Sequence, residues 1–75
     1  MFGNRLKDLR IDADLTQEQL AKHLNITRSA LANYETGLRE PGYEILIKIA
    51  DFFEISLDYL LCRTNIPNQY LAKHK

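Results

Sequence analysis

Four side chains share one face of a short predicted helix and are suited to contact with the edges of nucleic-acid bases. They occupy positions i, i+1, i+4 and i+5 and are Arg28, Ser29, Ala32 and Asn33. Arginine can form a bidentate pair with guanine O6 and N7, asparagine can pair with adenine N6 and N7, and a small apolar residue can contact a thymine methyl. The spacing therefore predicts a base-reading surface. The alternative is a solvated first turn in which Arg28 and Ser29 contact phosphates only.

The segment from Thr16 to Glu35 contains the signals that would position this face. Thr16 followed three residues later by Gln19 forms a capping box, and Thr27 is a second N-cap. Asn25 lies between them, and asparagine tolerates a left-handed backbone better than most residues. We therefore predict one helix that ends near residue 24, a tight turn, and a second helix that begins within three residues.

This pattern resembles the helix-turn-helix domains of the phage-repressor family (Cro/repressor-type, xenobiotic-response-element). The resemblance rests on LRIDADLTQEQLAKHLNITRSALANYETGLREP and continues through FFEISLDYLL. It implies an all-α fold class: a compact five-helix domain over residues 1–62, with the helix-turn-helix at helices 2 and 3. The remaining residues, 63–75, are expected to form a C-terminal tail. Asn25 stands where the family usually has a turn glycine.

The apolar spacing elsewhere in the chain is consistent with this organisation. A first helix is predicted from a stripe at i, i+4, i+7 and i+11, formed by Phe2, Leu6, Leu9 and Ala13. A fourth helix is predicted for residues 43–53, after Pro41. A fifth is predicted after the N-cap Ser56, and its leucines, Leu57, Leu60 and Leu61, are expected to close the core.

Residues near two predicted helix N-termini are candidates for contact with phosphates, because the free amides there attract anions. Thr16 and Thr27 begin the two helices, and Gln17 can add a side-chain donor or be simply a solvated first-turn residue. In the family, the loop after the second of these helices runs along the sugar-phosphate backbone. Thr36 and Arg39 match those loop positions, and the alternative for them is an ordinary solvated turn.

The resemblance also implies an internal ion pair between Arg10 and Glu35. Arg10 lies beside the apolar stripe of the first helix, so its guanidinium must either reach solvent or find an internal acid. Glu35, at the end of the predicted third helix, is the candidate partner. Two solvated surface charges are the alternative.

The net charge is zero, with ten basic and ten acidic residues. Their distribution is uneven, because one acidic segment, residues 40–62, contains five acids and a single lysine; these are Glu40, Glu44, Asp51, Glu54, Asp58 and Lys48. We expect a dipole that is basic near the tight turn and acidic on the far side. Weak non-specific DNA binding with a moderate salt dependence follows from this balance.

An exposed apolar patch is predicted on the acidic side and is formed by Ile45, Phe52 and Tyr59. One interpretation is a homodimer interface, because repressors of this family pair through the last helix and the preceding loop. The alternative is that the tail folds back over the patch, with Ile66, Tyr70 and Leu71 as anchors. A single recognition helix covers few base pairs, so we expect a homodimer on an inverted-repeat operator with half-sites about 34 Å apart.

The function predicted from these features is sequence-specific binding of double-stranded DNA by a transcriptional repressor. The alternative is a protein-binding module of the same fold, such as an antitoxin or an antirepressor partner. We expect no enzyme, no cofactor, no small-molecule ligand and no metal site, because no catalytic set or metal-ligand cluster is evident. The single cysteine, Cys62, fits a reducing cytosol, and no apolar run is long enough for a membrane span. A cytoplasmic location is therefore expected.

Overall fold

The computed structural model describes residues 1–67, and the predicted tail anchors Tyr70 and Leu71 lie outside these residues. This part of the chain contains no strand. It forms five helices: α1 (Phe2–Asp12), α2 (Gln17–Leu24), α3 (Arg28–Thr36), α4 (Tyr43–Phe53) and α5 (Leu57–Leu60). The prediction of an all-α fold with five helices is confirmed.

The tight turn between α2 and α3 has the conformation that the sequence predicts. Thr16 Oγ1 accepts a hydrogen bond from the Gln19 amide at 3.1 Å, and Gln19 Oε1 accepts one from the Thr16 amide at 2.9 Å. At the other end of α2, Asn25 adopts a left-handed conformation with φ of 61°. Thr27 then caps α3 by accepting from the Ala30 amide at 3.0 Å. These local bonds begin and end the two helices within a few residues of each other.

The core lies where α1, α2, α3 and α4 converge, with one side chain added from α5. Its buried apolar residues are Leu6, Leu20, Ala21, Leu24, Leu31, Ile49, Ala50 and Leu60. Two predictions for the core are wrong in part. Ala13 is exposed, because α1 ends before it. Leu57 and Leu61 are 41% and 40% exposed, because α5 has one turn and presents only Leu60 to the interior.

Glycine allows α1 to lie close against the end of α3. A Cβ atom added to Gly3 would lie only 2.5 Å from the backbone oxygen of Glu35 and 2.9 Å from that of Tyr34. Real Cβ atoms essentially never approach an oxygen so closely. The approach brings the start of α1 beside the helix that carries the candidate base-reading residues.

Two cationic side chains connect helices by donating hydrogen bonds to main-chain carbonyls of other helices. Arg5 on α1 donates from Nη1 to the Tyr59 carbonyl at 2.8 Å, and its guanidinium lies 3.9 Å from the centre of the Tyr59 ring. Lys48 on α4 donates from Nζ to the carbonyl of Leu24, the last residue of α2, at 3.3 Å. A cation at a helix C-terminus is favourable because that end carries partial negative charge.

Candidate nucleic-acid interface

The predicted base-reading residues lie along the side of α3 that faces away from the core. Arg28 and Ser29 are exposed, and Ala32 and Asn33 are half-buried. On the opposite side of the same helix, Leu31 is fully buried. The tight turn therefore fixes α3 against α2 with its small polar side chains directed outward.

Asn33 has two separate roles in the structure. Its backbone oxygen accepts from the amides of Gly37 and Arg39, at 3.1 and 3.2 Å, and from the Thr36 hydroxyl at 3.2 Å. The main chain of Asn33 thus holds the beginning of the loop that follows α3. Its side-chain carboxamide forms no hydrogen bond with any other residue of the described chain, so it is available to an external partner.

The structure brings Arg10 and Glu35 together in a bidentate ion pair. Arg10 Nε donates to Glu35 Oε2 at 2.7 Å, and Nη2 donates to Oε1 at 3.2 Å. Arg10 Nη1 also donates to the Leu15 carbonyl at 2.8 Å. Only 3% of the Glu35 side chain and 12% of the Arg10 side chain are exposed. The pair ties α1 to α3 and to the segment before α2.

A second contact extends this pair toward the start of α3. The Gln17 side chain donates from Nε2 to Glu35 Oε1 at 3.1 Å, and its Oε1 accepts from Arg28 Nη1 at 3.5 Å. We call the series Arg10, Glu35, Gln17 and Arg28 the polar chain. It runs from the buried ion pair between α1 and the end of α3, through the first residue of α2, to the first residue of α3.

The bridging role of Gln17 was not predicted from the sequence, which indicated only a phosphate donor or a solvated first-turn residue. In the structure both ends of its carboxamide are occupied within the protein. A signal was present, because the two oxygens of a carboxylate can accept more hydrogen bonds than one guanidinium supplies. Glu35 therefore had acceptor capacity for a neighbouring amide donor.

The remaining phosphate candidates differ in how freely their side chains can donate. Thr16 and Thr27 are exposed, and their hydroxyl oxygens accept amide hydrogen bonds, which leaves the hydroxyl hydrogens available. The Thr36 hydroxyl already donates to Asn33, so in this geometry it cannot donate to a phosphate as well. Arg39 is exposed and forms no side-chain hydrogen bond among residues 1–67. It lines an open cavity of about 280 Å³ between the start of α1 and the loop after α3.

The predicted apolar patch is exposed only in part, and the prediction is wrong for two of its three residues. Ile45 packs against the core and is half-buried. Tyr59 is half-buried beneath the Arg5 guanidinium. Phe52 is exposed, with its ring 5.0 Å from the His23 ring. A spacing of seven residues aligns Ile45 and Phe52 on α4 but does not show which neighbouring helix covers them, and Tyr59 lies on a different helix, α5.

Other exposed apolar side chains lie on α4, on α5 and directly after α5. Tyr43 and Ile47 on α4 are 85% and 48% exposed, and Leu57 on α5 and Leu61 directly after it are exposed as described above. Within residues 1–67, no helix is both long and apolar enough to cross a bilayer. Over the same residues, no group of three histidine, cysteine, aspartate or glutamate side chains could hold a metal ion.

Comparison with known proteins places this geometry in a family. A family model described as helix-turn-helix matches residues 6–60. The uncharacterized HTH-type transcriptional regulator YqaE of Bacillus subtilis is 49% identical over 61 residues, which are 81% of this chain and 53% of YqaE. The cryptic phage CTXphi transcriptional repressor RstR of Vibrio cholerae is 31% identical over 75 residues, covering 97% of this chain and 68% of RstR.

A solved structure gives the same fold. The P22 c2 repressor, in complex with the synthetic operator 9T, superposes with a TM-score of 0.76 at 27% identity, over 80% of this chain and 91% of that one. The chain spans about half the length of YqaE, the Bacillus relative. The match of the family model over most of the chain and the identity to these regulators agree with the helix-turn-helix geometry of α2 and α3. The chain is therefore a member of the phage-repressor (Cro/repressor-type) helix-turn-helix family.

Proposed function

We propose that this chain is the DNA-binding part of a sequence-specific transcriptional repressor, which inserts α3 into the major groove of a double-stranded operator half-site. The observation that carries the proposal is the outward face of α3, where Arg28 and Asn33 project beside the small residues Ser29 and Ala32. The descriptions of YqaE and RstR as transcriptional regulators support it. Such a role requires no catalysis and no cofactor, and we place it in the cytoplasm.

Arg28 and Asn33 are the residues that we assign to base reading. The Arg28 guanidinium has five N–H donors, and its contact with Gln17 uses only one of them. The others can form the bidentate pair with guanine, while the unengaged Asn33 carboxamide pairs with adenine. Ser29 can donate or accept, and Ala32 can lie against a thymine methyl.

Contacts with the phosphates would hold α3 in register without reading sequence. The N-terminus of α2, after Thr16, and that of α3, after Thr27, present amides and the positive ends of helix dipoles. Arg39 can add a charge from the loop after α3. Because the chain has no net charge, we expect a moderate salt dependence and weak binding to non-specific DNA.

A homodimer on an inverted repeat is part of the proposal. One α3 helix reads only a few base pairs, so two copies with half-sites about 34 Å apart supply the length of site that a regulator needs. We assign the pairing surface to two exposed leucines, Leu57 at the start of α5 and Leu61 directly after it, together with Phe52. The half-buried Ile45 and Tyr59 contribute less area than the sequence predicted.

A selection from randomised duplexes with the purified protein tests the proposal directly. We expect enrichment of an inverted repeat whose half-sites contain a guanine and an adenine at fixed spacing. Enrichment of no sequence would contradict DNA reading, and a single unrepeated site would contradict the dimer. Leu57→Glu should reduce self-association in sedimentation equilibrium. Ile11→Glu, at a comparably exposed apolar residue on α1, is the matched control and should leave self-association unchanged.

A further inference from the structure

One edge of α4 has no partner among residues 1–67. Tyr43, Ile47 and Asp51 follow one another at intervals of four residues and so lie on one line, with Glu44 beside it. Tyr43 and Ile47 are the exposed apolar residues described above, and Glu44 and Asp51 are also exposed. We call these four residues the α4 edge. The opposite side of the same helix carries Ile49 and Ala50, which are buried in the core.

The charge around the α4 edge is strongly negative. Five exposed acids lie between residues 40 and 58, and only Asp58 has an ion-pair partner, Arg63 at 3.7 Å. The single base of this segment, Lys48, directs its ammonium toward the Leu24 carbonyl instead of the acids. Glu44 and Asp51 consequently have no counter-charge within the described chain.

The apolar and acidic groups of the α4 edge indicate what kind of molecule can bind there. DNA is repelled, because it is a polyanion. A second copy is disfavoured, because a two-fold contact through the α4 edge would bring Glu44 and Asp51 of one copy toward the same acids of the other, and like charges in contact oppose association. A cationic segment with apolar side chains fits both features, since its lysines or arginines meet the acids while its apolar residues cover Tyr43 and Ile47.

We propose that the α4 edge docks a basic amphipathic helix of a partner protein. The spacing favours a helix, because the side chains of the edge form a ridge along i, i+4 and i+8, against which the apolar face of another helix can pack. The inference goes beyond the proposed DNA binding and does not depend on it.

The α4 edge is separate from the base-reading face. It belongs to a helix that packs against α2 and α5, whereas the base-reading residues belong to α3. We expect a protein bound to operator DNA through α3 to keep the α4 edge available. The partner and the DNA are expected to bind at the same time, without competition.

A synthetic peptide serves as the probe. It contains only leucine and lysine, with the leucines on one helical face and a length of about 18 residues, sufficient for a helix to form on docking. Fluorescence anisotropy at low salt should show binding of this peptide and no binding of a counterpart in which glutamate replaces every lysine. The double variant Glu44→Lys/Asp51→Lys should lower the affinity by about tenfold or more, a difference of 1.4 kcal/mol. Ile47→Ser should lower it by a similar factor.

The matched control is Asp8→Lys/Asp12→Lys, which reverses two exposed acids one turn apart on α1. An affinity unchanged by this control and reduced by the α4 variants supports the proposal. Equal losses in both double variants, or no peptide binding, would overturn it. Sedimentation equilibrium of Tyr43→Ala/Ile47→Ala tests the second copy as occupant, because a loss of self-association in this variant would also overturn the proposal. Operator binding by the same variants is a separate readout that reports on the proposed function alone.

Discussion

Gln17, the first residue of α2, donates its side-chain amide to Oε1 of the buried Glu35 carboxylate at 3.1 Å, and this contact ties α2 to the ion pair between α1 and α3. The oxygen of the same carboxamide accepts from Arg28 Nη1 at 3.5 Å. The amide therefore has a fixed orientation, because only its nitrogen can face the carboxylate. The polar chain holds the first residue of α3 through a contact that begins on α1.

Gln17→Ala should consequently affect base reading through Arg28. We expect a loss of stability of about 1 kcal/mol, typical of one removed hydrogen bond. We also expect weaker discrimination at the guanine that we assign to Arg28. In this variant the Arg28 guanidinium has lost its hydrogen bond to the Gln17 side-chain oxygen, so its position is less restricted. Binding to operators substituted at each base pair in turn would measure this. A loss of affinity that is uniform across all substituted operators would show instead that Gln17 acts as a phosphate contact.

Arg10→Ala should be the most destabilising of the substitutions considered. It leaves the Glu35 carboxylate, whose side chain is 3% exposed, without its charged partner. Breaking a buried ion pair in this way costs about 3–5 kcal/mol. Urea unfolding followed by circular dichroism gives the change in free energy. Arg63→Ala is the matched control, because the Arg63–Asp58 pair is solvent-exposed and its removal should not shift the midpoint measurably.

Gly3→Ala should destabilise the protein by about 1–3 kcal/mol, the usual cost of overpacking. The added Cβ would lie 2.5 Å from a backbone oxygen of α3, and neither helix can yield there without separating. Gly42→Ala tests whether the effect is local, since a Cβ at that position meets nothing within 4 Å. Thermal unfolding of the two variants would show a clear decrease in midpoint for Gly3→Ala and a smaller change for Gly42→Ala. Equal midpoints would contradict the close approach of α1 and α3.

The starts of α2, α3 and α5 and the end of α2 could be predicted from the sequence because each depends on residues only a few positions apart. Thr16, Thr27 and Ser56 each cap the helix that follows, and Asn25 adopts the left-handed conformation expected of it. A cap is decided by its own side chain and the next three amides, so no knowledge of the tertiary structure is needed.

The contacts that join one helix to another could not be predicted in the same way. The direction of the Gln17 carboxamide and the position of Arg5 over Tyr59 depend on how distant segments meet. The exposure of Leu57 and Leu61 has a similar cause, because the burial of a one-turn helix depends on its neighbours more than on its own periodicity. The candidate base-reading face could be proposed from the sequence alone, since its four residues lie within one helix.

Asn33→Ala should change sequence preference while leaving the fold intact. The Asn33 carboxamide has no hydrogen-bond partner within residues 1–67, and the bonds that organise the loop are made by its backbone oxygen, which alanine retains. We therefore expect an unfolding midpoint close to that of the unsubstituted protein. The penalty for replacing the adenine in each half-site should fall by about 1–3 kcal/mol, the value of one bidentate base contact.

Thr27→Ala is the contrasting variant, because loss of this cap should lower stability and weaken binding to all sequences alike. If Asn33→Ala also lowered affinity by the same factor for every operator, Asn33 would be a contact to the DNA backbone and the assignment of the adenine to it would be wrong.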